Sequence, residues 1–387
     1  MRIGILTLTD NTNGYNYGAT FQCLALQRTL ERLNNEVLVF NFKSDDNGNF
    51  CYKTINYLSA VTNIREFIGV CGDLFGRLKR IRGIQEDGRN LLAPSFDKII
   101  NHKLNMTRQV SENNIAEIAN ELDAVVVGSD QVWSTFAKQR LVYLMDWVPE
   151  FTGIRISYAA CSARKGVPRI NKVKIAECIN KMDAVSVRDA QTRKMVKNAS
   201  GVNAKIVLDP TFLYDFKEEM EAVEITGSYI LAYILGSEIK GGFKETLCKI
   251  RSKYGSLKLV VVAVPGLGKA IYEHADILLK ECSPGQWLTL FSRATFVLTD
   301  SFHGVCFCLK YKRNFIAYYR SVWRASRLLD LKNRFGLNRN IVSSLKEAVQ
   351  NRCFENELDY KDIDIFIEKE REISEEFLRK ALTNRIV

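Results

Sequence analysis

Ala124-Val125-Val126-Val127-Gly128-Ser129-Asp130-Gln131 is an unbroken apolar run that ends in a glycine and three polar side chains. A run without polar alternation suits a parallel strand buried on both faces. The polar residues after it fall at the strand's carboxyl end, where open α/β sheets carry their ligand contacts. The pattern recurs. Ala184–Val187 precedes Arg188-Asp189, Lys205–Leu208 precedes Asp209-Pro210, and Thr295–Leu298 precedes Thr299-Asp300-Ser301-Phe302-His303-Gly304. Turns and helix caps also need Ser, Asp and Gly at such points, so each junction alone admits a ligand contact or a cap.

Outward from these junctions, Ile3–Leu8, Glu36–Phe42 and Ile154–Ala159 read as further strands, and Asn16-Tyr17-Gly18-Ala19 opens a helix with Leu24, Leu26, Leu30 and Leu33 on its apolar side. A second series follows, with strands Tyr229–Leu235, Leu257–Val264 and Asn314–Tyr318 and helices Phe243–Lys253 and Gly285–Phe291. Strand–helix alternation predicts an α/β protein of two doubly wound, Rossmann-like domains facing a cleft. The polar stretch Asp215–Gly227 takes the junction, giving domains at 1–222 and 223–345. The charged segment 346–387 carries apolar residues at helical spacing and is expected to pack back on the first domain. Residues 60–92 break the alternation and contain Phe75-Gly76-Arg77-Leu78-Lys79-Arg80-Ile81-Arg82. That stretch reads as a solvated basic helix or as an element touching an anionic membrane.

A length of 387 residues suits two domains, and a hydrophobic fraction of 47% excludes a disordered chain. Fifty-five Lys and Arg against 44 Asp and Glu leave +11, which favours anionic ligands. The ten cysteines include no Cys-x-x-Cys pair, as expected of a reduced, cytoplasmic protein. The amino-terminal apolar stretch is too short for a signal peptide, and no run approaches the ~20 apolar residues of a spanning helix.

His303 is one of three histidines, with His102 and His274. It falls in the first turn of a helix, where the dipole favours a neutral imidazole, and Gly304 beside it would admit a ligand close to the backbone. A packed histidine is the alternative. Arg188 ends a buried strand and needs an anion, either a protein carboxylate or a ligand carboxylate or phosphate. Arg320, Arg324 and Arg327 cluster after the strand Asn314–Tyr318, and Ser326-Arg327 opens a helix that suits a phosphate or a solvated face. Pro265-Gly266-Leu267-Gly268-Lys269 lacks the spacing of a nucleotide phosphate loop. No metal-ligand spacing, dinucleotide fingerprint or nucleic-acid pattern of basic and aromatic residues is present in the sequence.

Taken in order, several short motifs resemble the polysaccharide pyruvyl transferase family along nearly the whole chain. They are Gly4-Ile5-Leu6-Thr7-Leu8, Asn16-Tyr17-Gly18-Ala19, Val126-Val127-Gly128-Ser129-Asp130-Gln131-Val132-Trp133, Ser157-Tyr158-Ala159-Ala160, Ser186-Val187-Arg188-Asp189, Leu208-Asp209-Pro210-Thr211 and Thr299-Asp300-Ser301-Phe302-His303-Gly304. The resemblance implies an architecture similar to GT-B glycosyltransferases. It also implies transfer of the pyruvyl unit of phosphoenolpyruvate to a sugar, usually as a cyclic ketal, in the assembly of capsule or exopolysaccharide. His303 and Arg188 match the family's proposed catalytic and donor-binding positions. Some members carry Arg-Leu-His where this chain has Ser301-Phe302-His303, so Arg327 or Arg320 is expected to supply the missing charge.

The expected roles follow. His303 is the general acid/base, and Asp130 and Asp209 orient acceptor hydroxyls or act as a second base. Arg188, Arg327, Gly304 and Ser301 hold the donor, while Asn16, Tyr17 and Gln131 line the acceptor side. Phosphoenolpyruvate is a co-substrate, and no cofactor, metal or nucleic acid is expected. The acceptor is expected to be a galactose-type sugar on a polyprenyl diphosphate or a nucleotide, met at the inner face of the membrane by a cytoplasmic, peripheral enzyme. A nucleotide-sugar glycosyltransferase using Gly266–Lys269 and a non-catalytic glycan-assembly protein are the alternatives.

Overall fold

A computed structural model describes residues 1–9, 16–44, 89–134, 138–147, 151–162, 166–320, 325–355 and 357–383, with the side chains at 89–93, 138–140 and 170 left aside. Most of the basic stretch 60–92, Phe75–Arg82 included, and Arg324 lie outside the described residues. The chain divides into two compact units. The described residues of Met1–Gly76, Lys98–Asp215 and Lys369–Val387 form one, and those of Arg77–Asp97 and Phe216–Glu368 form the other.

In chain order the first series is β1 (Arg2–Leu6), α1 (Tyr17–Arg32), β2 (Glu36–Phe42), α2 (Arg89–Lys103), β3 (Met106–Val110), α3 (Ile115–Ala119), β4 (Ala124–Val127), β5 (Ile154–Ala160), α4 (Lys172–Asn180), β6 (Ala184–Val187), α5 (Ala190–Ser200) and β7 (Lys205–Ile206). Its seven strands lie in the order β3-β2-β1-β4-β5-β6-β7, all parallel. The strands β1, β4, β5 and β6 are almost wholly buried, as their continuous apolar sequences require. One core face gathers Val125, Val127, Val187, Ile175, Ile179, Met195 and Val196, so α4 and α5 cover the sheet there.

The second series is β8 (Tyr229–Tyr233), α6 (Phe243–Tyr254), β9 (Lys258–Val262), β10 (Ile277–Leu279), α7 (Pro284–Arg293), β11 (Phe296–Thr299), α8 (Phe302–Lys310), β12 (Asn314–Tyr318), α9 (Ser326–Arg334), β13 (Ile341–Val342), α10 (Leu345–Gln350) and α11 (Lys361–Thr383). Its six parallel strands run β10-β9-β8-β11-β12-β13. Phe243, Leu247, Ile250, Phe296, Leu298 and Ile316 anchor its core.

Both sheets reverse direction once. The chain starts at a central strand, winds outward on one side, and returns to the other flank of that strand. The reversals fall between β1 and β4 and between β8 and β11. At such switch points the loops after neighbouring strands part and leave a crevice beyond their carboxyl ends.

The strands β3, β10 and β13 all lie at sheet edges; β3 is interrupted by polar residues and half open to solvent, and β10 and β13 are apolar but only three and two residues long. The expected strand Lys205–Leu208 stops at Ile206, because Leu208 turns its amide to Ser374 Oγ at 2.9 Å instead of a neighbouring strand. Ser374 belongs to the portion of α11 that packs in the first unit, where Phe377 also meets Tyr158. No described helix is long and apolar enough to cross a membrane.

Candidate functional site

The β1/β4 switch point is filled by a buried polar network. Gln22, on α1, donates through Nε2 to Thr7 Oγ1 (3.1 Å), Leu8 O (3.0 Å) and Ala19 O (2.9 Å). Its Oε1 accepts from Ser129 N (3.1 Å) and Ser129 Oγ (2.9 Å), while Thr7 Oγ1 donates to Ser129 O (3.0 Å). One amide side chain thus joins the end of β1, the start of α1 and the turn after β4. Buried amides of this kind are costly unless every polar atom is met. Asn16 caps α1, its Oδ1 accepting from Gly18 N (3.1 Å) and Ala19 N (3.3 Å), and Tyr17 is buried. Gln131 is half-buried just beyond the network.

The backbone here is held in unusual conformations. Gly128 (φ 113), Asp130 (φ 61) and Ala159 (φ 48) all have positive φ at the ends of β4 and β5. A Cβ on Gly128 would stand 2.2 Å from Tyr158 O, so only glycine fits. Strain at non-glycine positions persists where the surroundings fix it, commonly at functional sites.

Arg188 leaves β6 into this region. Its Nη1 donates to Asp209 Oδ2 at 2.7 Å and its Nη2 to Asp130 Oδ1 at 3.3 Å, and all three side chains are buried. Asp209 Oδ1 in turn accepts from Thr211 N (3.0 Å) and Thr211 Oγ1 (2.8 Å). Burial opposes the guanidinium charge, but Cys161, Asp209 and Asp130 outweigh it and hold the group well above its ordinary value. Two carboxylates already meet the amino groups of Arg188, so a ligand dianion would find a local surplus of negative charge. Of the two partners the sequence left open for Arg188, the structure supplies protein carboxylates, and both oxygens of Asp209 are engaged. The adjacent Asp189 caps α5, accepting from Thr192 N at 2.7 Å.

The β8/β11 switch point holds the second group. Ser301 caps α8, its Oγ accepting from Gly304 N at 3.3 Å. His303 is buried in that first turn, edge-on to the Phe302 ring at 5.1 Å between centroids. The guanidinium of Arg327, at the start of α9, lies 5.8 Å from the centroid of the same ring. Phe302 therefore gathers His303 and Arg327 beside one helix start. Arg320 donates to Glu238 O at 3.0 Å.

Gly304 was expected to admit a ligand, but its open side faces Thr299. A Cβ there would stand 2.5 Å from Thr299 Oγ1, which donates to Tyr233 O (2.7 Å) and accepts from Ser301 N (3.1 Å). The glycine lets α8 pack tightly on the end of β11.

Asp300 was not assigned a role from sequence. Its Oδ1 accepts from Leu235 N at 2.7 Å, across the switch point. Burial pushes its carboxyl up to about 6, although the amides of Leu235, Gly236 and its own residue favour the ionised form. The stretch Pro265–Lys269 forms a tight turn with Gly266 at φ 72 and Leu267 N bonded to Val264 O at 2.9 Å. Tyr272 Oη donates to Leu267 O (3.0 Å), and a Cβ on Gly268 would meet Ile234 O at 2.1 Å. No group of metal-ligating side chains occurs among the described residues.

The sequence matches the family model described as polysaccharide pyruvyl transferase over residues 16–322. That span takes in every motif at both switch points except β1. The chain belongs to the polysaccharide pyruvyl transferase family.

Membership makes the protein a transferase of polysaccharide pyruvylation. No curated protein matches the sequence. Among solved structures, the UDP-GlcNAc 2-epimerase of Methanocaldococcus jannaschii is similar at 12% identity, with 98% of this chain and 99% of that one covered and a TM-score of 0.53. A protein assigned as UDP-N-acetylglucosamine 2-epimerase from Listeria monocytogenes is similar at 11% identity, with 100% and 97% covered and a TM-score of 0.54. At these identities the likeness shows the fold, two parallel sheets with flanking helices as in GT-B proteins. The pyruvyl transferase model thus spans Arg188, Asp130 and Asp209 at one switch point and Ser301, His303 and Gly304 at the other, and ends just before Arg327.

Proposed function

We propose that this protein transfers the pyruvyl unit of phosphoenolpyruvate to two hydroxyls of a sugar, forming a ketal and releasing phosphate. The family match over residues 16–322 carries this reading. In the reaction the vinyl methylene takes a proton and becomes a methyl group. C2 bonds one sugar oxygen, the C2–O bond to phosphate breaks, and a second sugar oxygen closes the ketal. Both hydroxyls give up their protons.

The donor carries a carboxylate and a phosphate, so it needs concentrated positive charge. Arg327 and the helix start at Ser301 supply it in this reading, since Arg188 is committed to Asp209 and Asp130. His303, in the same helix turn, is the acid/base that moves a proton at the methylene or at an attacking hydroxyl. Asp130, held at one oxygen by Arg188, orients an acceptor hydroxyl beside Gln131. The acceptor is a galactose-type sugar on a lipid or nucleotide carrier, and the enzyme works in the cytoplasm at the inner membrane face. The turn at Pro265–Lys269 is packed on its own backbone and Tyr272, which does not favour a nucleotide-sugar glycosyltransferase.

Calorimetric titration with phosphoenolpyruvate beside UDP-galactose tests the donor, and phosphate release with a panel of galactosides tests the reaction. Binding of the sugar nucleotide without phosphoenolpyruvate, with no phosphate released from any acceptor, would overturn the proposal.

A further inference from the structure

Asp300 is the carboxylate at the β8/β11 switch point that the reaction above leaves unassigned. It stands one residue before the Ser301 cap and three before His303. Its Oδ1 takes the Leu235 amide at 2.7 Å, and the Gly236 amide bonds the same carboxyl group. One side chain thus reaches from the end of β11 to the turn after β8, across the gap where the sheet reverses direction. Gly236 is fitted to that contact, since a Cβ there would stand 2.6 Å from Asp300 Oδ2. The next two residues of the turn are held from β12 and its end, Ser237 O accepting from Tyr318 Oη (2.9 Å) and Glu238 O from Arg320 Nη1 (3.0 Å).

We propose that Asp300 is a positioning residue for this site, fixing the Leu235–Gly236 turn beside the first turn of α8 and so setting the backbone that substrate meets next to His303. The role rests on the pyruvyl-transfer reading, but the bridge itself is independent of it. Crevices at switch points bind ligands through the loops on either side. A carboxyl group that ties one loop to the other fixes the width of such a crevice.

Burial pushes this carboxyl up to about 6, while the amide bonds of the bridge favour its ionised form. The Tyr318 phenol is itself pushed upward by burial and by Asp300 and Glu238, against Arg320.

Amide hydrogen exchange of the full chain, followed by mass spectrometry on the peptide covering 229–242, tests the bridge. Phosphate release from phosphoenolpyruvate with a sugar acceptor tests its service to the site. Asp300→Ala should speed exchange at Leu235 and Gly236 by about tenfold or more, while α8 stays protected as in the wild type. The same variant should raise KM for phosphoenolpyruvate or acceptor about tenfold, with kcat within about threefold. Gly236→Ala displaces the carboxylate with Asp300 in place and should reproduce both effects, which covers the case of an Asp300 variant that does not fold. Unchanged exchange in Gly236→Ala would overturn the bridge. Faster exchange with unchanged kinetic constants would overturn the positioning role. A wild type that releases no phosphate with any acceptor would instead overturn the pyruvyl-transfer reading, with the exchange data still deciding the bridge.

Discussion

Arg188 Nη1 donates to Asp209 Oδ2 at 2.7 Å, with both side chains sealed from solvent. The pair joins the end of β6 to the turn after β7, and Asp130 extends it to the turn after β4. A buried charge left without its partner is strongly destabilising. Arg188→Ala is expected to cost about 3–5 kcal/mol of unfolding free energy. Urea denaturation measures it, and a loss below 1 kcal/mol would show that the cluster does not hold these strand ends together.

His303 sits in the first turn of α8 beside Phe302 and within reach of the Arg327 side of that ring. If it moves the proton, His303→Ala lowers kcat by roughly 10²–10⁴. Circular dichroism should be unchanged. Near-normal turnover in a folded variant would remove it from the mechanism.

Arg327 is the half-buried counterpart of that arrangement. Arg327→Ala is expected to weaken phosphoenolpyruvate binding by about tenfold or more, the scale of one charge-assisted contact. Calorimetric titration reads the change directly. Equal affinity in wild type and variant would assign the donor's charge to another group.

Gly304 leaves room for Thr299 and not for a ligand. Gly304→Ala forces a methyl group to 2.5 Å from Thr299 Oγ1, and overpacking of this kind costs about 1–3 kcal/mol. Thr299→Ala opens the space but gives up the bonds to Tyr233 and Ser301. The double variant should therefore be more stable than the sum of the two single losses. Additive losses in thermal melts would show that the two residues do not compete for that space.

Asp300 ties stability to pH with a defined sign. Its folded value of about 6 lies above the unfolded value of 3.8. The native state therefore holds the proton more tightly, and stability from this group is full below the unfolded value and lost as pH rises through 6. Asp300→Asn removes that dependence. The variant's unfolding free energy relative to wild type should rise by on the order of 2 kcal/mol between pH 4 and pH 7.5. A difference that stays flat across this range would mean that Asp300 is not held in a burying environment.

Much of this architecture was legible in the sequence because its central strands are buried on both faces. Runs such as Ala124–Val127 and Ala184–Val187 have no polar member on one face, apart from Ser186, and their ends fall where the sequence turns polar. The edge strand Met106–Val110 was not legible, because half-exposure lets Thr107, Arg108 and Gln109 into it. The site was legible in its residues and less so in their partners. Arg188 demanded an anion, but whether a carboxylate of the protein or of a ligand met it depended on two residues 58 and 21 positions away. Gln22 escaped notice because a buried amide inside a leucine-rich helix carries no sequence signature until its partners Thr7, Leu8, Ala19 and Ser129 are known. The open side of Gly304 likewise depended on where the Thr299 hydroxyl pointed.

The bond from the Leu208 amide to Ser374 Oγ has a consequence for biosynthesis. The border of the sheet that begins with residue 2 is covered only when Ser374, 372 residues later, arrives. During translation the nascent first unit therefore waits with its β7 border uncovered while the whole second unit is made. A ribosome stalled before α11 would carry all seven strands of the first sheet with their β7 border still uncovered. Shortening the protein from its carboxyl end should thus damage the part synthesised earliest, and limited proteolysis of such fragments would show cleavage near residues 205–208 first.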